Sequence, residues 1–508
     1  MDHSSAQKII NDIESSVAVD KITYGSHPVW PLIKYCLYFS YVKEGRKSNR
    51  ANDPMQPKAP NYKPALFNRI SSHLNNIVQL VKNYSRHRNE LRKYKASIKE
   101  QDALMIDVPD VLYEEKISNK YYSRYLSPYL ETLLKKYKVT LLNTEQRTSI
   151  HDQKSIVPYI FNTRFYFAYA AILNHYTTKY NNEITFNNFE LFAGYFKDKP
   201  FQNSITEAFL KPKLEQILQF EKMWRTLLKT RKPKVIFLSC HYGSVSHLGM
   251  LMAAKQLNIR TIEIQHGISL GAMYMGWSKE PTGGYDLLPE YYWSWSLADI
   301  DALKFSRKKS KSFKPILGGN LWFEKNMQET MANDADIQLK ELIRNASPLK
   351  IILVSLQHSL PLSQTLIDSI QHSSKDWLWL IRFHPRDFVD PEYRANYIKA
   401  LSGFNHVEYE FTTKANLYSL LKKVNVHITH FSTVAIESIS FKVPTILLDD
   451  KMKDTFKMYI DSNIFFIANT SDELLGNISN NISINEKTYD YYKLHTNKET
   501  LTAIDEMF

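Results

Sequence analysis

The chain is 508 residues long, enough for two to four domains, and its 44% hydrophobic and 23% charged content excludes disorder. Sixty-five Lys and Arg against 52 Asp and Glu leave a net charge of +13, beside 32 Tyr, 26 Phe and 8 Trp. The two cysteines, Cys36 and Cys240, exclude a disulfide framework and a cysteine-based zinc module, and suit a reducing compartment.

Residues 1–42 carry helical spacing and an aromatic cluster around Pro28-Val29-Trp30-Pro31. The opening Met1-Asp2-His3-Ser4-Ser5 lacks the basic-then-apolar run of a secretory signal. No stretch reaches the roughly 18 uncharged apolar residues of a spanning helix; the best, Val29 to Val42, is broken by Lys34. The expectation is a cytoplasmic protein, free or peripheral at the inner face of the membrane. Residues 45–64 hold Gly45, Pro54, Pro57, Pro60 and Pro64 and read as an irregular connector, followed by a basic helical pattern to Glu100. Between Lys43 and Glu100 fourteen basic residues face four acidic ones, so about a ninth of the chain carries +10 of the charge. This stretch is either a solvated helix face or a surface that meets anions, such as a bilayer leaflet or a lipid diphosphate. Nucleic acid fits the charge, but no zinc-finger, homeodomain or RRM pattern accompanies it, and it is not expected as a partner.

Short buried strands are predicted at Asp102 to Asp107 and Lys138 to Leu142, and a mostly helical region over 155–230. From 231 strand and helix alternate. Strands are predicted at Val235 to Ser239, Thr261 to Gln265, Tyr291 to Trp295 and Pro315 to Leu317, with a helix from Ser246 to Gln256. The charged segment 324–348 reads as helical and links this series to a second. Its strands are expected at Ile351 to Ser355, Trp377 to Arg382, Val407 to Phe411, Val426 to Thr429, Thr445 to Leu448 and Ile464 to Ile467. Continuous apolar runs such as Val235 to Leu238 suit parallel strands covered on both faces. Thr470 to Glu473 has capping-box spacing, and a last helix is predicted from Glu486 to Met507. Two alternating series predict two doubly wound α/β domains, whose ligands bind beyond the carboxyl ends of strands.

Four loops follow predicted strands and carry chemistry. Arg382-Phe383-His384-Pro385-Arg386 ends a strand at Pro385 and offers three cationic or imidazole groups to a phosphate, or is a solvated surface loop. Thr429 to Glu437 brings Ser432 and Thr433 to a helix start, where hydroxyls and free N–H groups cap the helix, bind an anion, or both. Glu437, one turn deeper, is placed for ribose hydroxyls. Glu263-Ile264-Gln265-His266-Gly267 puts His266 at a tight turn, as a general base or as a structural histidine. Cys240-His241-Tyr242-Gly243-Ser244 makes His241 the second candidate base, with Ser244, Gln265 and Gly267 on the acceptor or phosphate side. Neither metal nor cofactor is expected: HExxH, a Walker A loop and G-x-G-x-x-G are all missing from the sequence.

Taken in order, His384-Pro385, then Ser432-Thr433 48 residues on, with His266-Gly267 upstream, resemble GT-B glycosyltransferases of bacterial surface-polysaccharide synthesis. That branch includes capsular Kdo transferases, polysialyltransferases and CDP-glycerol glycerophosphotransferases. Gly318-Gly319-Asn320 resembles the entry to the interdomain linker. Lys442 stands where many relatives have Gly, and the acidic-acidic-Gly motif of sialyltransferases has no counterpart. The resemblance implies an α/β GT-B fold: two Rossmann-like doubly wound domains facing a cleft, with a C-terminal helix returning to the first. The implied division is an acceptor domain over 1–325 with the basic extension 43–100, a nucleotide-sugar domain over 345–480, and a returning helix over 486–508. It implies metal-independent transfer of a sugar from a nucleotide donor, a CMP-sugar first and otherwise a UDP-, GDP- or dTDP-sugar, to a glycan or lipid-linked glycan. Arg382, His384, Pro385, Arg386, Ser432, Thr433 and Glu437 then hold the donor, and His266 or His241 takes the acceptor proton. A nucleotide-sugar epimerase and a non-enzymatic membrane- or polymer-binding protein are the alternatives.

Overall fold

A computed structural model describes residues 3–51, 101–107, 114–117, 120–143, 156–158, 184–197, 205–230 and 232–508, apart from 243, 269–272, 275, 278, 307–309, 329–332, 359, 449, 451 and 452. Two parallel sheets account for the alternation seen in the sequence. The first comprises β1 Ala103–Asp107, β2 Val139–Asn143, β3 Ile156–Pro158, β4 Val235–Leu238, β5 Arg260–Ile264, β6 Tyr291–Ser294 and β7 Lys314–Leu317. Its spatial order is β7-β6-β5-β4-β1-β2-β3, with every pairing parallel. The second comprises β8 Lys350–Ser355, β9 Trp377–Arg382, β10 Val407–Glu408, β11 Val426–Thr429, β12 Thr445–Leu448 and β13 Phe465–Ala468. Its order is β10-β9-β8-β11-β12-β13, again parallel throughout. Counted within each sheet, both begin 3-2-1-4-5-6, the doubly wound order, so each has a switch point between its first and fourth strands.

Burial explains why these runs form central strands. Every residue of β4, β11 and β12 is buried, as parallel strands between two helix layers must be. Over the first sheet, Phe220, Trp224, Leu227 and Leu228 of the helix Glu207–Thr230 share a core with Met250 and Leu251 of the helix Val245–Gln256. The two helices approach closely at Gly249, where a methyl group would lie 2.7 Å from the Ile217 carbonyl oxygen. The N-terminal helices His3–Ser16 and Trp30–Ala51 are tied to the same half by a buried ion pair. Lys34 Nζ donates to Glu14 Oε1 at 2.7 Å, Trp30 Nε1 donates to the same oxygen, and the Trp277 N–H donates to Oε2. The basic stretch 43–100 continues this helix to Ala51 and from 52 onward lies outside the described residues. Much of the helical expectation over 155–230 also lies outside them, and Ile156–Pro158 is a strand. Among the described residues no helix is long and apolar enough to cross a membrane.

Three local differences from the sequence expectation have physical causes. The strand expected at Val407 to Phe411 stops at Glu408, whose carboxylate accepts the N–H groups of Phe411 and Thr412 and starts the helix Glu410–Lys414. The predicted last helix is two helices, Tyr489–Tyr492 and Asn497–Met507. Between them the His495 N–H donates to the Trp295 carbonyl, and the His495 carbonyl accepts from the Asn320 N–H, so this link is extended. Gly319, at φ +77°, lets it pass: a Cβ there would meet the His495 carbonyl oxygen at 2.6 Å. Lys442 adopts φ +57° beyond the helix Val434–Ile439, a left-handed position in which a glycine would be unstrained. The final helix buries Ala503, Ile504 and Met507 in a core shared with β1, β2 and β4 and packs on β7. Two doubly wound sheets and a last helix crossing back to the first make a GT-B arrangement.

Candidate functional site

In the second sheet, Ser355 at the end of β8 stands beside Arg382 of β9 and Thr429 of β11. The loops beginning at Leu356, Phe383 and His430 therefore leave the carboxyl edge side by side. With strands about 4.8 Å apart, the His-Pro and Ser-Thr loops flank the switch point at roughly 10 Å. His384 caps the helix Pro385–Val389, its Nδ1 accepting the Arg386 N–H at 3.2 Å. An accepting Nδ1 puts the ring proton on Nε2, which makes that atom a donor. Pro385 suits the first helical position because its missing N–H is not needed there. Arg386 is exposed.

Arg382 also holds the backbone beside the edge. Its Nη1 donates to the Thr412 and Ala415 carbonyls at 2.7 and 2.8 Å. Burial, with the nearby Arg124 charge, lowers it to about 10, while Glu437 and Asp336 oppose the shift. Arg382 thus organises the floor of the edge. Glu437 accepts from Tyr418 OH at 2.6 Å on Oε1; burial raises its pKa, and Tyr418, Arg124 and Arg382 pull it back. Ser432 donates its N–H to Thr429 Oγ1, and its own Oγ accepts from the Val434 N–H at 3.3 Å. The helix after it, Val434–Ile439, is too short for a strong dipole, so hydroxyls must supply most of any anion binding here.

At the carboxyl edge of the first sheet, His241 is 2% exposed and turned into the wall. Its Nδ1 lies 2.5 Å from Glu263 Oε2, and the rings of Tyr242, Tyr274 and Phe313 surround it. Glu263, fully buried, also accepts from Tyr274 OH at 2.9 Å. Gln265 is likewise spent inside the fold. Its Oε1 accepts from the Trp295 N–H, and its Nε2 donates to the Gly267 carbonyl and to Asp299. Gln265 therefore shapes the turn rather than facing the cleft. Ser244 caps the helix Val245–Gln256 by accepting the Ser246 N–H. His266 is half-buried among Tyr125, Tyr242 and Tyr274, with ring centroids 6.0, 6.5 and 6.3 Å away. Its Nδ1 is buried without a hydrogen bond of normal geometry. Burial lowers its pKa and Glu263 partly restores it, which favours a neutral ring.

The two edges meet. A Cβ at Gly267 would lie 3.5 Å from Thr433 Oγ1, in ordinary van der Waals contact. Arg124 and Tyr125, before the helix Ser127–Leu133, bridge the same gap. Arg124 acts electrostatically on Arg382 and Glu437, and Tyr125 packs on His266. Sequence reasoning missed Arg124, Tyr125, Tyr418, Glu263 and a further pair. His358 follows β8, and its Nδ1 lies 2.5 Å from Oδ1 of the buried Asp387. Tyr397 OH donates to the other oxygen at 3.1 Å. Gln357-His358 follows an apolar strand just as His384 does, so the end-of-strand signal was available for it.

No family model matches the sequence, and no curated protein matches it. Solved structures that it resembles include an S. aureus MnaA–UDP co-structure, at 11% identity and TM-score 0.45, covering 80% of this chain and 96% of that one. Another is UDP-GlcNAc 2-epimerase from Neisseria meningitidis bound to UDP-GlcNAc, at 12% and 0.41, covering 80% and 98%. The wall teichoic acid polymerase TagF stands at 13% and 0.39, covering 87% and 93%. Similarities this distant assign no activity to the chain.

Proposed function

We propose that this protein is a glycosyltransferase that moves a sugar from a nucleotide donor to a glycan or lipid-linked glycan hydroxyl in surface-polysaccharide synthesis. The observation that carries this reading is the meeting of the two edges, with Gly267 beside Thr433 and His266 one residue away. A base on one wall and anion donors on the other are what a displacement at an anomeric carbon requires. The first half, over 1–325, takes the acceptor, and the second, over 345–480, takes the donor.

Nε2–H of His384 and the hydroxyls of Ser432 and Thr433 donate to the phosphate of the leaving nucleotide, with Arg386 adding charge. Glu437, held by Tyr418 on one oxygen, accepts from ribose hydroxyls through the other. In an inverting displacement, the acceptor oxygen bonds to the anomeric carbon as the carbon–phosphate oxygen bond breaks. The nucleotide leaves with that electron pair, and the acceptor proton passes to Nε2 of His266. His241 stays behind the wall, its charge partner Glu263 setting the field at His266.

Thermal unfolding in the presence of CMP-, UDP-, GDP- and dTDP-sugars and CDP-glycerol tests the donor site. A bound donor at a hundredfold excess over Kd stabilises by about 2.7 kcal/mol. Product formation is then followed with and without acceptor glycan. Isomerised sugar from donor alone, or no stabilisation by any nucleotide, overturns the proposal.

A further inference from the structure

We infer that His358 is a second imidazole ligand for the donor phosphate, aimed by Asp387 acting as a positioning residue. The inference rests on the nucleotide-donor reading of the second edge and extends it to a residue outside the His-Pro and Ser-Thr loops. His358 leaves β8, the strand on one side of the switch point, while β9 beside it delivers His384. The two imidazole rings lie 5.4 Å apart and are tilted by 34°. The anchor of His358 comes from the same short helix that His384 caps, because Asp387 is the third residue of Pro385–Val389. One turn of chain therefore presents one imidazole and orients the other.

The bonds differ in sense. His384 Nδ1 accepts from a backbone N–H, whereas His358 Nδ1 faces a carboxylate, which only accepts. Nδ1 of His358 must carry a proton, which fixes the ring on Asp387, and an anion meeting Nε2 requires a proton on that atom too. Asp387 is itself fixed by Tyr397 OH, which also donates to the Leu360 carbonyl at 2.7 Å. Tyr393 packs at 6.3 Å from the His358 ring, and 30% of the His358 side chain remains exposed. An imidazole held on one side by a buried acid, partly open, and close to another imidazole at a strand end is built to meet an anion.

Asparagine and glutamine separate ligand from scaffold. H358N keeps an N–H near the Nδ1 position for Asp387 but has nothing at Nε2. H358Q places an N–H near Nε2. UDP, CDP and CMP are titrated calorimetrically into the full chain as wild type, H358N, H358Q, D387N, H358N/D387N and H384A. Thermal midpoints confirm folding, and H358Q with D387N decides the matter should H358N not fold. For the nucleotide that wild type binds best, H358N is expected to lose at least tenfold in affinity, and H358Q to recover part of it. D387N is expected to weaken binding alone and to add less than twofold to H358N. H358N within twofold of wild type, while H384A loses tenfold, overturns the His358 assignment and leaves the donor site standing. Wild-type protein that binds none of the three, nor GDP or dTDP, overturns both.

Discussion

At the edge of the first sheet, Glu263 and His241 are shut away behind tyrosine rings, and of the two candidate histidines His266 is the half-exposed one. At the edge of the second, Ser432, Thr433, His384 and His358 are all partly open, and Arg386 is exposed. The two sheets share a strand order, so scaffold geometry does not account for the contrast. The loop side chains do. Aromatic walls make the first edge dry, which suits a neutral base. Hydroxyls, imidazoles and an exposed guanidinium make the second suited to an anion. Equivalent positions on two copies of one architecture thus carry contrasting side chains, the contrast on which the proposed division between base and anion site rests.

The contrast can be broken from either side. The largest effect is expected for His384→Ala, about a thousandfold in turnover and a clear loss of donor affinity, with the thermal midpoint held. Steady-state rates and calorimetry check it; unchanged turnover would remove His384 from the donor site. His266→Ala should lower kcat about a hundredfold while donor Kd moves less than twofold. Equal losses in both quantities would make His266 a binding residue instead.

A smaller effect concerns stability. Asp299 is buried under the His266 turn, and desolvation raises its pKa to about 6 against the bonds from Ser296 and Gln265. It binds a proton more tightly folded than unfolded. Its contribution is therefore most favourable below about pH 4 and is lost as pH rises through 6. Asp299→Asn, which mimics the protonated acid, should stabilise by about 2–3 kcal/mol at pH 8 and by little at pH 4. Denaturant melts at the two pH values decide this, and an equal effect at both would contradict it. The smallest change is expected at the meeting point. Gly267→Ala adds a methyl in ordinary contact with Thr433, so kcat/KM should stay within about threefold. A loss of tenfold would mean that the two edges close more tightly during turnover than they do at rest.

Most of the sheet strands were legible because a strand buried on both faces must be an unbroken apolar run, as Val235 to Leu238 and Trp377 to Ile381 are. The loops of interest were legible because ligand sites in doubly wound sheets sit after such runs. Val407 to Phe411 misled because its apolar ends hid Glu408, a carboxylate that caps the helix which follows. Gln265 stood at a candidate position, yet its polar atoms are consumed by a carbonyl, a backbone N–H and Asp299, and Arg382 spends its Nη1 on two carbonyls. Whether a strand-end side chain points to the cleft or into the wall depends on partners far away in the chain.

The sequence by itself determined that there are two alternating series, where their strands end, and which short loops carry imidazoles and hydroxyls there. These follow from local composition and from burial. Tertiary structure alone decided which of those loops meet. It set Gly267 against Thr433, brought Arg124 to Arg382 and Glu437, and joined His358 to Asp387 across 29 residues. Strand order and register fix such neighbours, and no local pattern in the chain encodes a contact between residues that only packing brings together.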